Sequence, residues 1–121
     1  MDKAKTRDHY ERLPPDELCP CEYCRNYIRH IRGAFPLVAE YLDSLGVDIE
    51  KPFEAIPLEP GDDGMIQYIG EQYIVLGSRD GFEPTEISGI SVDIAESHPM
   101  TQLSCEHFVI ELSPLRLRWG A

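Results

Sequence analysis

At Lys51-Pro52 the hydrophobic pattern changes period, and this switch constrains the fold more than any other feature of the chain. Before it, apolar residues recur at helical spacing. In residues 21–32, Cys21, Cys24, Ile28 and Ile31 share one face of a predicted helix, and Arg25, Arg29 and Arg32 form a second, basic stripe. Gly33 is placed to stop that helix in a left-handed conformation. Pro36 suits the first turn of a second helix, with Leu37, Val38, Tyr41, Leu42 and Leu45 as its apolar face and Gly46 just past its end. So short a link predicts two antiparallel or steeply crossed helices.

After the switch the pattern is strand-like. Residues 53–58 predict a first strand, weakened by Pro57. Residues 65–69 and 73–76 are β-branched and aromatic runs, and Gly70-Glu71-Gln72 between them reads as the turn of a hairpin. Residues 87–94 and 107–112 supply further strands, and Leu115, Leu117 and Trp119 alternate with Arg116 and Arg118 after Pro114. Pro60-Gly61-Asp62-Asp63-Gly64 is a loop, with the paired aspartates read as a solvated turn, because the alternating oxygen ligands of a calcium loop do not follow. The expected fold class is α+β, an N-terminal helical hairpin packed on an antiparallel sheet of four to six short strands. A length of 121 residues suits a single domain, 1–121, with residues 1–18 a loosely ordered polar arm that Leu13-Pro14-Pro15-Asp16 separates from the helices.

Charge narrows the function classes. The net charge is −11, and it is partitioned. Residues 1–33 carry seven cations against six anions, residues 34–114 carry two against sixteen, and residues 115–121 add two cations. An acidic body therefore lies between two weakly basic ends. Such a chain is no ordinary nucleic-acid binder, since phosphates are neutralised by Lys and Arg. The acidity keeps the protein dispersed; it also suits packing of the basic N-terminal segment on the acidic body, or association with a basic protein partner. No segment reaches the run of about 18 apolar residues that spans a bilayer, and no apolar stretch follows the first cations as in a secretory signal. The expected compartment is the cytoplasm, where thiols stay reduced or bind metal.

The densest chemistry is Cys19-Pro20-Cys21-Glu22-Tyr23-Cys24. Zinc takes four tetrahedral ligands, and thiolates spaced by two to four residues at a helix start supply two or three of them. Cys105 or His107, before the last main strand, would complete a structural site that ties the first helix to the sheet; His98, His9 and His30 are weaker candidates. Two other readings stand beside this one. Cys21 and Cys24 share a face with Ile28 and Ile31, so they also fit as buried core thiols. A thiolate at a helix N-terminus near Arg25 is also the start of a redox or nucleophilic site, the basis of an alternative reading as a thiol- or metal-dependent enzyme. The arginine stripe fits a phosphate ligand, or pairing with the protein's own carboxylates. No Gly-rich phosphate loop, nucleophile elbow or His-Glu-x-x-His motif occurs, and no catalytic residue is assigned.

Cys21-Glu22-Tyr23-Cys24-Arg25-Asn26-Tyr27, residues 45–52, residues 73–77 and residues 110–115 with Trp119 resemble a family of small uncharacterised bacterial proteins. The resemblance implies a cytoplasmic bacterial protein associated with phage or mobile elements. It carries no activity, and Cys19 and Cys105 stand outside the matched stretches.

Overall fold

The computed structural model describes residues 1–120. The chain runs α1 (Lys3–Arg12), a 3₁₀ turn (Pro15–Glu17), α2 (Glu22–Ala34), α3 (Pro36–Ser44), then β1 (Glu54–Pro57), β2 (Met65–Leu76), β3 (Thr85–Ile87), β4 (Ile90–Ile94), β5 (His107–Ser113) and β6 (Leu115–Arg118). It is an α+β fold, with N-terminal helices packed on a six-stranded sheet whose pairs are all antiparallel. The strand order is β1-β2-β5-β4-β3, and β6 continues the line of β5 along the first half of β2. No helix among the described residues is long and apolar enough to cross a membrane.

The expected hairpin at residues 65–76 is instead one twelve-residue strand. The difference has a physical origin. In β2 the residues that join the main core are Ile66 and Tyr68 before Gly70, but Tyr73 and Val75 after it, so the strand changes which parity faces the helices. Its neighbour changes in step: Phe108, Ile110 and Leu112 face the core in β5, and Leu115 and Leu117 face it in β6, on either side of a cis Ser113-Pro114 bond. On the other edge, β1 pairs Ile56 with Gly70 and Pro57 with Tyr68, skipping Ile69. A local loss of alternation in sequence is the signature of such an irregularity as well as of a turn.

The core lies between the sheet and the helices, filled by Tyr27 and Ile31 of α2, Val38 and Leu42 of α3, and the inward residues of β2, β4, β5 and β6. A small second cluster, Ile74, Leu76 and Val109, lies on the other face of the sheet under Phe53, Ala95 and Leu103. The second half of β2 is thus buried on both faces, which explains its near-continuous apolar run. Helix α2 runs through Gly33 and ends at Ala34, past the expected stop. Asn26 ties it to the end of β6: its Nδ2 donates to the Arg118 carbonyl (2.9 Å) and its Oδ1 accepts the Gly120 amide (2.8 Å).

Where a loose polar arm is expected, the first twelve residues form a capped and docked helix. Asp2 accepts the Lys5 amide at 3.0 Å as N-cap. The Asp2 amide donates to the Leu76 carbonyl (2.9 Å), the Leu76 amide donates to Thr6 Oγ1 (3.0 Å), and the Tyr10 hydroxyl donates to the Ile74 carbonyl (2.7 Å). Lys51 Nζ donates to the Tyr10 carbonyl (2.6 Å) at the far end. Thr6 and Tyr10 are its buried residues, too few for a hydrophobic stripe to be visible in sequence.

Gly46 fixes where α1 docks. Its φ is +87°, and a Cβ there would stand 2.5 Å from the Lys3 carbonyl oxygen and 3.0 Å from the Arg7 amide. Gly46→Ala is expected to cost about 2 kcal/mol, from the left-handed backbone and from displacement of α1. Urea denaturation reads the loss, and amide exchange confined to α1 locates it; unchanged exchange in α1 would show the contact to be unimportant.

Candidate metal centre

Pro20 holds the approach to α2 extended, and Cys21 takes the N-cap position with φ −67° and ψ 161°. Its carbonyl accepts the Arg25 amide (3.0 Å), opening the helix, and Cys24 follows in the first turn. This local geometry folds three sulfurs together: Sγ of Cys19, Cys21 and Cys24 all lie within 4.8 Å of one another. Cys19 and Cys21 are exposed and Cys24 is half-buried, so the reading as core thiols does not hold. The stripe that suggested it is buried only at Ile31; the helix turns Tyr27 and Ile31 inward and leaves the thiols at the rim.

The electrostatics divide the thiols. Burial pushes the Cys21 thiol up, but the amides of Cys24 and Tyr23 and the Cys19 and Cys24 thiols outweigh it, and its pKa falls below the ordinary thiol range. Cys24 is raised, first by burial and then by the neighbouring Cys21 and Cys19. Three thiolates at 2.3 Å from a tetrahedral ion stand about 3.8 Å apart, so the present separations close around a metal with side-chain movements on the order of 1 Å. The three residues therefore form a group that could hold a metal ion.

The other predicted ligands lie elsewhere. Cys105 is exposed in the turn before β5. His107 is paired opposite Leu76, and its ring bonds Thr101 Oγ1 and the Cys105 carbonyl, both at 2.7 Å. The cysteines border a groove whose sheet wall includes Ala55, opposite Glu71, five residues back along β2 or roughly 16 Å at strand spacing. Leu76 also belongs to the cluster on the other face. A site joining Cys19, Cys21 and Cys24 to Cys105 or His107, tying α2 to the last main strand, is therefore not formed. His98 bonds the Pro99 carbonyl (2.8 Å), His30 bonds the Gly120 carbonyl, and the half-buried His9 packs edge-on against Tyr10 with its pKa lowered by burial and by His107. Arg32 of the basic stripe is paired with Glu50 (2.5 Å) and Asp48 (3.3 Å), the intramolecular alternative.

Two carboxyls at this place were not legible as site residues. The groove holds about 400 Å³ between Cys19, Cys21, Cys24 and Ile28 on one side and Phe53, Glu54, Ala55 and Pro57 on the other. Glu54 is half-buried there, its Oε1 accepting the Ala55 amide (3.0 Å). Glu71, on the helix-facing side of β2, is fully buried, and neither carboxyl oxygen has a hydrogen-bond partner. Burial, then Glu54 and Cys21, push its pKa up to about 9. A charged residue inside an otherwise strand-forming run is the mark it leaves in the sequence. Compared with family models, curated proteins and solved structures, the chain matches none.

Proposed function

We propose that the protein is a small acidic binding module whose Cys19, Cys21 and Cys24 thiolates hold a zinc ion. The observation that carries the reading is the convergence of three sulfurs within 4.8 Å at a helix N-terminus. An all-thiolate donor set selects zinc among common divalent ions over the hard, oxygen-seeking ones. A reducing, cytoplasmic compartment suits it, since all four cysteines are free thiols. The metal's structural part is local: it would staple the Leu18–Cys21 approach to the first turn of α2. Tyr27, Ile31 and the Asn26 bonds already hold that helix on the sheet. The acidic body supports a basic partner, with association that weakens as salt rises.

The test is zinc titration of the reduced protein against a colorimetric chelator, with elemental analysis of the product. One zinc per chain is expected. Cys24→Ser should weaken binding at least 100-fold while the far-UV circular dichroism of the protein stays unchanged, because the core does not rest on the site. Failure of the reduced protein to take up zinc would overturn the reading.

A further inference from the structure

Resting on the zinc reading, we infer that the metal's fourth position is filled from outside the chain, by the imidazole of a histidine carried on a basic partner segment that enters the groove. Three observations lead there. Among the described residues, the ligand atoms that converge are the three sulfurs; Cys105 and His107 lie at the far end of β2. Zinc needs a fourth donor, and a site with three protein ligands keeps that position for an incoming group. The cluster forms one wall of a groove of about 400 Å³, which has room for a side chain beside the sulfurs.

The walls choose the donor. Three thiolates around a divalent ion leave a net charge of −1, and the other ionisable residues that line the groove are Glu54 and Glu17. Anionic ligands are repelled there, and a neutral donor on a cationic segment is favoured. A metal-bound imidazole characteristically donates its second ring N–H to a carboxylate. Glu54 stands on the opposite wall with one oxygen engaged by the Ala55 amide, and its second oxygen can accept that proton. Ile28 and Pro57 supply apolar contact for the ring and its neighbours.

Cobalt substitution tests this, since the visible spectrum of the ion reports its fourth ligand. The reduced protein is loaded with Co²⁺ and titrated with imidazole, with azide, and with two short lysine-rich peptides, one carrying a single histidine and one with alanine in its place. The expected result is a saturable spectral change with imidazole, a tighter one with the histidine peptide, and none with azide or the alanine peptide. Glu54→Gln should weaken imidazole binding three- to tenfold and leave cobalt affinity as it was. A cobalt-loaded protein indifferent to imidazole, or equally responsive to azide, overturns the inference and leaves the metal site standing. So does a Glu54→Gln spectrum altered before any addition, which would make Glu54 itself the fourth ligand. Absence of cobalt uptake overturns both readings.

Discussion

Replacing Glu71 by glutamine is expected to stabilise the protein, by an amount that grows with pH. The carboxyl is fully buried with both oxygens unpartnered, and its pKa rises from 4.5 to about 9, chiefly through burial and then through Glu54 and Cys21. The folded state therefore holds this group protonated at a pH where the unfolded chain has already lost the proton. For an acid whose folded pKa is raised, the contribution is intact below the unfolded pKa and declines as pH rises toward the folded value. The decline begins near pH 4.5 and reaches about 3 kcal/mol at pH 7 and about 6 kcal/mol at pH 9. Glutamine keeps the shape and removes the ionisation, so Glu71→Gln should match the parent near pH 4, gain about 3 kcal/mol at pH 7, and gain more at pH 9. Denaturation curves at the three values decide it. A gain that is the same at every pH would falsify the account.

Two buried tyrosines give the second large effect, and they are unequal. Tyr27 and Tyr73 are both fully buried, with their hydroxyls 2.6 Å apart. Tyr73 donates to the Ile49 carbonyl at 2.6 Å, so Tyr27 must donate to Tyr73. Tyr27→Phe removes the outer donor and leaves Tyr73 satisfied, at about 1 kcal/mol. Tyr73→Phe strands both the Tyr27 hydroxyl and the Ile49 carbonyl in the core, at about 2–4 kcal/mol. The double variant should be no less stable than Tyr73→Phe alone, because one orphan disappears with Tyr27. Urea unfolding of the three variants gives the order; equal losses for the two single variants would show the chain of donors to be wrong.

The sequence carried the architecture because a change of hydrophobic period is a local property. Helices α2 and α3, the strand character after Lys51-Pro52 and the proximity of Cys19, Cys21 and Cys24 all follow from residues a few positions apart. What escaped depends on distant pairing. The place of His107 is set by its register opposite Leu76, and the site role of Glu71 by its position opposite Ala55 under α2. Helix α1 escaped for another reason: its attachment is made by hydrogen bonds that Asp2 and Tyr10 donate and Thr6 accepts, which leave no periodic apolar trace. Among the described residues, Glu71 is the carboxyl buried without a hydrogen-bond partner, kept neutral rather than paired, and it lies beside the thiols.

The bonds that hold α1 also impose an order on synthesis. Tyr10 must meet Ile74, which lies 64 positions later, and Thr6 must meet Leu76, 70 positions later. At ribosomal speeds of about 5–20 residues per second, the first segment waits roughly 3–14 s for the strand that receives it. A strongly apolar segment would be exposed to aggregation over that interval. The polar composition that makes α1 inconspicuous lets the nascent chain carry it safely until β2 emerges.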